Sequence, residues 1–416
     1  MERSDFEIMA PAGSFDSLIA AVQGGADSVY FGAGSLNMRS RSSSNFSLDD
    51  LKEISKICYD NGLKSYLTLN TVLYDDDLSE MRQMIELARE TGISAVIASD
   101  QSAITYAREK GVSVHLSTQV NISNSEALKF YSDFADVVVL ARELNVNQVK
   151  KIYNTIVDED IRGPGGELIR IEMFCHGALC MAVSGKCYLS LHQFNKSANR
   201  GACYQTCRRG YYVTDRDSGY ELEVDNKYIM SPKDLKTIHF INKMIDAGVS
   251  IFKIEGRARG PEYVRKVTQC YNEAIESVIE DTFTSKKIDN WDSRLVSVFN
   301  RGFWDGYYLG QKLGEWSKEY GSQATQKKLY LGKGMNYFPK IGIGEFLLET
   351  NTLNVGDKVL LTGPTTGAVE FTVKELRVDL KPVKRVEKGE RFSMPVDAKV
   401  RRADKLFKIV HKQKDN

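Results

Sequence analysis

The chain has 416 residues, of which 42% are hydrophobic and 27% charged, proportions that are ordinary for a soluble globular protein. No apolar run approaches the ~20 residues that cross a bilayer, which excludes a membrane-spanning helix. The net charge of +1 excludes a basic field over the whole surface, so any contact with RNA must come from local patches. The polar N-terminus and the odd number of cysteines, seven, predict a cytoplasmic protein with reduced thiols and no disulfide framework.

Short β-branched runs alternate with amphipathic helical segments through the first two thirds of the chain, which predicts βα units around a parallel sheet. Eight strands are predicted at 6–10, 26–32, 64–70, 95–100, 112–119, 136–142, 169–174 and 250–255, with a helix over about 261–279 after the eighth. Eight such units favour a (β/α)8, TIM-like barrel over residues 1–283. The alternative is an open doubly wound sheet, although no Gly-x-Gly-x-x-Gly turn follows the first strand.

Polar side chains collect where the predicted strands end, and in a barrel the chemistry lies at that end of the strands. Lys253, Glu255 and Arg257 alternate along the eighth strand or just past it, which places all three on one side. The full set of strand-end candidates is Asn70, Asp100, His115, Ser117, Gln119, Arg142, Glu172, His176, Lys253, Glu255 and Arg257.

Two interpretations of these strand-end residues stay open. Arg142, Lys253 and Arg257 can together bind an anion, since arginine holds carboxylate or phosphate with two hydrogen bonds. Alternatively, these cations form salt bridges with Glu172 and Glu255 that stabilise the barrel rim. His115 and His176 are candidate general acid–base groups, or histidines that only make hydrogen bonds.

Five of the seven cysteines lie between residues 175 and 207, and four of them form a C-x6-C-x15-C-x3-C pattern. These four are Cys180, Cys187, Cys203 and Cys207. Four converging thiolates need positive charge, and the pattern favours an iron–sulfur cluster of the [4Fe-4S] type. Structural Zn²⁺ is the alternative, but it prefers ligand pairs two to four residues apart. Ordinary buried thiols remain a third interpretation, and Cys175 is predicted as a strand-end thiol near the site.

The sequence around these cysteines resembles the signature of peptidase family U32, the collagenase-like protease family. The resemblance rests on Glu-x-Phe-x2-Gly-Ala-Leu-Cys-x4-Gly-x-Cys-x-Leu-Ser over 172–190 and on Asn-Arg-Gly-x-Cys-x-Gln-x-Cys-Arg over 199–208. It implies an iron–sulfur protein close to those that make 5-hydroxyuridine at the wobble position of tRNA. It also implies hydroxylation without O₂, with prephenate as the oxygen source in a cationic pocket, and an anion-binding role for Arg39.

Other functions stay open. Other branches of the family imply hydroxylation of ribosomal RNA or of a quinone precursor. A collagenase-like peptidase needs a nucleophile with a base or an open metal site, and neither His-Glu-x-x-His nor Gly-x-Ser-x-Gly occurs. Cys175 with His176 or His115 remains as a candidate pair of nucleophile and base. A zinc-held, RNA-binding adaptor is the non-enzymatic alternative.

If only three cysteines bind a cluster, one iron stays open to substrate, whereas four ligands suit electron transfer or structure.

Two further segments follow the predicted barrel. Residues 284–326 are predicted as a linker or extension packed on the barrel, whose aromatic residues either stack on bases or only pack. Short runs at 340–348, 357–361, 367–373 and 399–401 predict a small β-barrel domain over 327–416. Its resemblance to the C-terminal domain of some family members implies that it holds tRNA or a partner. The basic residues of 399–414 are an RNA-binding patch or a solvated tail. A paralogous or redox protein is a further expected partner.

Overall fold

Eight parallel strands close into a barrel in this protein. A computed structural model describes residues 1–41, 45–212, 214–219, 230–311, 314–317 and 321–412. The elements of the barrel and of the segment inserted in it are β1 (Glu7–Ala12), α1 (Phe15–Gln23), β2 (Ser28–Phe31), α2 (Leu51–Asp60), β3 (Lys64–Leu69), α3 (Leu78–Glu90), β4 (Ala95–Ala98), α4 (Gln101–Glu109), β5 (Val114–Leu116), α5 (Ser125–Ser132), β6 (Val137–Val139), α6 (Val146–Asp158), β7 (Arg170–Gly177), α7 (Leu189–Phe194), β8 (Asp234–Lys236), α8 (Ile241–Asp246), β9 (Val249–Ile254) and α9 (Pro261–Ile279).

The strand order confirms the predicted TIM-like barrel. Strands β1 to β7 pair in chain order, and β9 pairs with both β7 and β1, so the sheet is closed. An open doubly wound sheet would have two free edges, and that alternative is therefore wrong. The strands β2, β4, β5 and β6 are buried along their whole length, because helices cover them outside and side chains fill the barrel inside.

The amino-terminal end of the barrel is closed by a buried carboxylate. Glu7 begins β1 and accepts hydrogen bonds from Tyr66 Oη at 2.7 Å, Lys64 Nζ at 3.0 Å and Arg170 Nη1 at 3.2 Å. Burial alone would raise the pKa of Glu7, but these partners outweigh burial and lower the pKa to about 2. This end of the barrel is therefore a structural closure, and the opposite end is left for the site.

A second body of β-structure follows the barrel. Its elements, with those that connect it, are α10 (Ser285–Leu295), β10 (Phe303–Trp304), β11 (Gln326–Phe338), β12 (Ile343–Leu348), β13 (Leu353–Asn354), β14 (Lys358–Gly363), β15 (Gly367–Thr372), β16 (Leu376–Val378), β17 (Lys381–Val383), β18 (Arg385–Val386), β19 (Arg391–Pro395) and β20 (Lys405–His411). Eight of these strands form an antiparallel sheet in the order β15-β14-β20-β11-β12-β19-β16-β17 and share one apolar core. The predicted strands at 340–348, 357–361 and 367–373 are confirmed as β12, β14 and β15.

The prediction for the last strand is wrong in position. Residues 399–401 are not a strand, because the chain turns back there: Arg401 N donates to Asp404 Oδ2 at 2.8 Å. The strand is β20 instead, which lies between β14 and β11. Part of the predicted basic patch is thus built into the sheet, where Lys408 Nζ lies 2.6 Å from Asp357 Oδ2. The last basic residue of that patch, Lys414, lies outside the described residues.

The β-rich domain packs on the outer helices of the barrel. Gln23 of α1 donates to Thr366 O at 2.9 Å and accepts from Ala368 N at 3.0 Å. Lys266 of α9 lies 3.1 Å from Glu370. The domain is therefore attached beside β1 and β9. Among the helices of the described ranges, none has both the length and the apolar composition of a membrane span.

Candidate active site

The carboxyl ends of the barrel strands open into a cavity of about 350 Å³. Its floor is formed by side chains from the strands, among them Tyr30 of β2, Thr68 of β3, Phe174 of β7 and Lys253 of β9. Its roof is the segment that follows β7, which carries the four cysteines of the pattern. The cavity lies at the end of the barrel where the predicted polar residues were expected.

A buried ion pair lies beneath the floor. Glu172 is fully buried, and its Oε1 accepts a hydrogen bond from Lys253 Nζ at 2.7 Å. Its other oxygen lies 3.5 Å from His115 Nδ1. Burial alone would raise the pKa of Glu172, but Lys253 and His115 lower it below its ordinary value. Glu172 thus stays ionised and fixes the Lys253 ammonium at the cavity.

A second carboxylate is held by arginines. Glu255 Oε1 lies 3.0 Å from Arg39 Nη2, and Glu255 Oε2 accepts from Tyr30 Oη at 3.2 Å. Burial alone would raise the pKa of Glu255, but Arg39, Arg142 and Arg257 lower it to about 2. Burial also raises the pKa of Tyr30 well above its ordinary value, so its hydroxyl keeps its proton. Of the salt bridges that the sequence left open, the structure contains the one between Lys253 and Glu172, whereas the salt-bridge partner of Glu255 is Arg39.

Arg257 is positioned by neutral groups. It is 6% exposed, and its Nη1 donates to Asn37 Oδ1 at 3.1 Å and to Thr68 Oγ1 at 3.0 Å. Its backbone is packed against Gly13, where a Cβ would lie 2.0 Å from the Arg257 carbonyl oxygen. Burial lowers the pKa of Arg257. Neutral partners orient this guanidinium without cancelling its charge.

The cavity is cationic. Six basic and two acidic side chains line it. The basic set is Arg39, Arg142, Lys186, Arg208, Lys253 and Arg257, and the acidic set is Glu143 and Glu255. The Arg142 guanidinium carbon lies over the Phe174 ring, 3.7 Å from its centroid, and Arg142 Nη1 donates to Ala178 O at 3.3 Å. The excess of positive charge suits an anionic ligand.

An amide and hydroxyl network forms one wall of the cavity. Asn70 Nδ2 donates to Ser117 Oγ and to Gln119 Oε1, both at 3.2 Å. Ser117 Oγ also donates to Gln119 Oε1. Asn70 Oδ1 accepts a hydrogen bond from Met38 N at 3.3 Å. These side chains offer hydrogen-bonding groups without charge, which suits recognition of a polar, neutral part of a substrate.

The cysteine segment is fastened to the loops that follow β2 and β3. Asn199 O accepts from Val72 N at 3.0 Å, and Gly201 O accepts from Arg41 N at 3.2 Å. Arg200 Nη1 lies 2.5 Å from Asp77 Oδ2. Gly201 has φ +85°, and a Cβ there would lie 2.0 Å from Ser40 Oγ, so a larger residue cannot take this position without displacing the loop. The barrel therefore holds the segment close over the cavity.

The four cysteines of the pattern line this one cavity, and none of the four forms a disulfide. The pKa of Cys207 is raised to about 11, mainly by burial; Arg208 opposes this rise, and the nearby Cys180, Cys203 and Cys187 add to it. Four neighbouring thiols thus need positive charge among them to ionise together. Within the described residues, no three His, Cys, Asp or Glu side chains converge tightly enough for a single metal ion. Cysteine thiolates are the usual ligands of an iron–sulfur cluster, so the chemistry of these four donors suits such a cluster.

Two predicted residues lie away from the cavity. His176 is 1% exposed, with its Nδ1 3.4 Å from Tyr271 Oη and its ring packed on Phe303, and burial followed by Lys236 lowers its pKa to about 3. Asp100 caps α4 by accepting from Ser102 N at 3.0 Å. His115 lies beneath the floor with Glu172, whereas Arg142, Lys253, Glu255 and Arg257 line the cavity.

The structure adds residues that the sequence analysis missed. Tyr30, Asn37 and Thr68 hold the charged groups, and Tyr307 reaches the cavity from the segment after α10. Tyr30 and Thr68 were within predicted strands, and alternation along those strands could have placed them inside the barrel. No local signal marks Tyr307, because its position depends on how the later segment packs on the barrel.

A closed (β/α)8 barrel with a lined cavity at the carboxyl ends of its strands defines a TIM-barrel protein of the enzyme type. The model of Peptidase family U32 matches residues 13–318, and the chain belongs to this family. The family signature and its four cysteines lie in the matched region.

Curated relatives carry two kinds of name. A collagenase of Porphyromonas gingivalis is 62% identical over 98% of this chain and 99% of its own length. tRNA hydroxylation protein P1 of Bacillus subtilis is 31% identical over 89% of this chain and 86% of its own. A 23S rRNA 5-hydroxycytidine synthase of Escherichia coli is 36% identical over 66% of this chain and 40% of its own length. The relatives thus support an enzyme with either an RNA-hydroxylating or a peptidase role.

Proposed function

We propose that this chain is an iron–sulfur-dependent RNA hydroxylase that acts without O₂ in the cytoplasm, forming 5-hydroxyuridine at the wobble position of tRNA. The observation that carries the proposal is the coexistence, in one cavity, of four cysteines and six basic side chains. Relatives named for tRNA and rRNA hydroxylation support the reaction class. Their names describe two RNA substrates, and tRNA is favoured because the tRNA relative matches most of both chains.

The basic side chains are suited to a dicarboxylate such as prephenate, the proposed oxygen source. Arg257 carries an oriented guanidinium whose charge is not cancelled by its hydrogen-bond partners. Lys253 offers a second cation, whose position is fixed by Glu172 at 2.7 Å. Arg142 adds a third, oriented by the Phe174 ring. Two carboxylates of one ligand can each meet a cation here, and a charge-assisted hydrogen bond is roughly twice as strong as a neutral one.

The four cysteines would hold a [4Fe-4S] cluster, which would supply redox or Lewis-acid chemistry beside the bound ligand. This chain's own groups then have distinct tasks. The Tyr30 hydroxyl stays protonated and donates to Ile254 O at 2.9 Å, which fixes the floor. The amides of Asn70 and Gln119 offer donors and acceptors to the edge of a nucleobase.

A collagenase-like peptidase is the second candidate, because a relative with 62% identity has that name. Cys175 and His176, the cysteine and histidine that such a peptidase would need as nucleophile and base, are not positioned for catalysis. Cys175 is fully buried, its Sγ donates to Lys253 O at 3.4 Å, and burial raises its pKa well above its ordinary value. His176 packs among aromatic rings, away from the cavity. A thiolate nucleophile is therefore disfavoured at this position.

The test is an in vitro reaction with protein purified without oxygen, unmodified tRNA and prephenate, followed by nucleoside analysis by mass spectrometry. We expect 5-hydroxyuridine that requires both prephenate and an intact cluster. Cys187→Ala should abolish it, whereas Cys58→Ala, which removes a thiol buried on α2 far from the pattern, should not. Cleavage of denatured collagen by the same preparation, without any change in tRNA, would favour the peptidase instead.

A further inference from the structure

The segment 178–212, which carries the four cysteines, differs from the rest of the chain in its charge. It contains five basic residues and no acidic residue, in a chain whose 56 basic and 55 acidic residues otherwise nearly balance. The basic residues are Lys186, Lys196, Arg200, Arg208 and Arg209. Positive charge is therefore concentrated on the roof of the cavity, in addition to the basic run at 399–414.

The same roof exposes aromatic rings. Tyr188 is 76% exposed, Tyr204 is 43% exposed and Phe194 is 41% exposed. On the adjoining loop after β3, Tyr74 is 59% exposed. Large apolar rings normally bury most of their surface, so four of them around one mouth indicate a contact surface. Tyr188 also lines the cavity, which makes the exposed surface continuous with the site.

The rings and the arginines are paired. The Arg200 guanidinium carbon lies 4.0 Å from the Tyr74 ring centroid, and that of Arg209 lies 5.3 Å from the centroid of Phe194. Phe194 and Tyr204 meet edge to face at 5.3 Å. The pair of Arg200 with Asp77 at 2.5 Å fixes one guanidinium plane. Planar cations and rings side by side are the groups on which unpaired bases stack.

We propose that these residues form a docking surface for a single-stranded RNA loop, here called the stacking platform and defined as Tyr74, Tyr188, Phe194, Arg200, Tyr204 and Arg209. The inference rests on the proposed function and assigns the part of the chain that presents the RNA to the cavity. Phosphates are attracted by the basic roof, bases stack on the rings, and Tyr188 leads one base to the cavity. A collagen-like peptide fits this surface less well than RNA, because it has few negatively charged groups for the basic residues to bind.

The C-terminal domain is a weaker candidate for this task. It is attached to α1 and α9, and every described residue that lines the cavity precedes residue 308. Two of its predicted RNA-binding lysines are used within the fold: Lys408 contacts Asp357, and Lys412 donates to Ser322 O at 2.5 Å. Presentation of a base to the cavity therefore requires the roof.

The experiment measures the affinity of the cluster-loaded protein for a fluorescent anticodon stem-loop RNA by anisotropy at fixed salt. We expect Tyr188→Ala and Tyr204→Ala each to weaken binding about tenfold, as loss of one stacked base predicts. Tyr188→Phe should bind like the wild type, because the ring remains. Tyr59→Ala is the matched control, since that tyrosine is 86% exposed on α2, outside the platform. The cluster absorbance of each variant shows that the roof is intact.

Tyr74→Ala provides a second variant outside the cysteine segment, in case changes within that segment disturb the cluster. It should also weaken binding. Arg209→Ala should reduce the slope of log affinity against log salt by about one, whereas the tyrosine variants should leave it unchanged. Unchanged affinity in Tyr74→Ala, Tyr188→Ala and Tyr204→Ala, with tRNA still hydroxylated by the wild type, would overturn the platform alone. No binding of RNA by the wild type would overturn the platform and the proposed function together.

Discussion

Glu172→Gln is expected to destabilise the protein by about 3 kcal/mol, because it leaves the Lys253 ammonium buried without its carboxylate. Glu172 is fully buried and Lys253 is 4% exposed, with 2.7 Å between the ammonium and Glu172 Oε1. Removal of one partner of a buried pair typically costs 3–5 kcal/mol. The lower end applies here, since Lys253 also lines the cavity and can regain some hydration there.

The double variant Glu172→Gln/Lys253→Met separates the structural role of this pair from its functional role. It removes both charges, so most of the lost stability should return. Hydroxylation should stay absent, because the cation at the floor is gone. Glu53→Gln is the control, since Glu53 is exposed on α2.

The assay is thermal and urea unfolding of the three variants and the wild type under one set of conditions, with tRNA hydroxylation measured in parallel. The expected order of stability is wild type, then the double variant, then Glu172→Gln. A Glu172→Gln protein as stable as the wild type would refute the buried-pair reasoning. Recovery of hydroxylation together with stability in the double variant would show that the Lys253 charge has no role in the reaction.

Three other perturbations test separate parts of the structure. Arg257→Met should lower kcat/KM for the carboxylate cosubstrate about 100-fold, because about 3 kcal/mol of charge-assisted hydrogen bonding is lost, while the cluster absorbance stays. The control Arg89→Met, on the exposed face of α3, should change neither quantity. Loss of fold in Arg257→Met would support a purely structural arginine. Glu7 has its pKa lowered from 4.5 to about 2, so its stabilisation is present above pH 4.5 and is lost as the pH falls towards 2. The unfolding free energy of the wild type should therefore exceed that of Glu7→Gln at pH 6, by an amount that shrinks by roughly 3 kcal/mol as the pH falls towards 2, and a constant difference would refute the ionised state. Gly201→Ala should prevent cluster assembly, because the added Cβ would collide with the neighbouring loop. The control is Gly166→Ala, which has a similar φ of +83° but no atom within 4 Å of the added Cβ and should assemble the cluster normally. Equal cluster content in both variants would refute the packing argument.

The barrel could be predicted because its signal is local and repeated. Each strand is a short β-branched run buried on both faces, and each is followed by an amphipathic helix. The alternation of Lys253, Glu255 and Arg257 was also enough to place all three at the cavity. Both inferences use periodicities that hold whatever the rest of the chain does.

The position of His176 could not be predicted in the same way. Alternation from Glu172 and Phe174 would place it inside the barrel, but the pairing of β7 with β9 shifts register between Phe174 and His176. An extra residue in one strand reverses the direction of the side chains that follow. His176 consequently points at Tyr271 of α9. Such irregularities depend on long-range pairing, which a sequence pattern does not carry.

The pairing of charges was also beyond the sequence. The sequence offered Glu172 and Glu255 as possible partners of Arg142, Lys253 and Arg257. The structure pairs Lys253 with Glu172, but it pairs Glu255 with Arg39, which was not among those three cations. The charged strand β20 was interpreted as a basic patch or a tail, because lysines interrupt its apolar pattern. Its central place between β14 and β11 depends on partners far away in the chain.

The most direct test of the central claim is the iron and acid-labile sulfide content of the protein purified without oxygen, with its absorption spectrum. About four irons and four sulfides per chain are predicted, as a [4Fe-4S] centre requires, and both should be lost in Cys187→Ala. Zinc in place of iron, or no metal with all four thiols freely titratable, would contradict the account of the cavity as an iron–sulfur site.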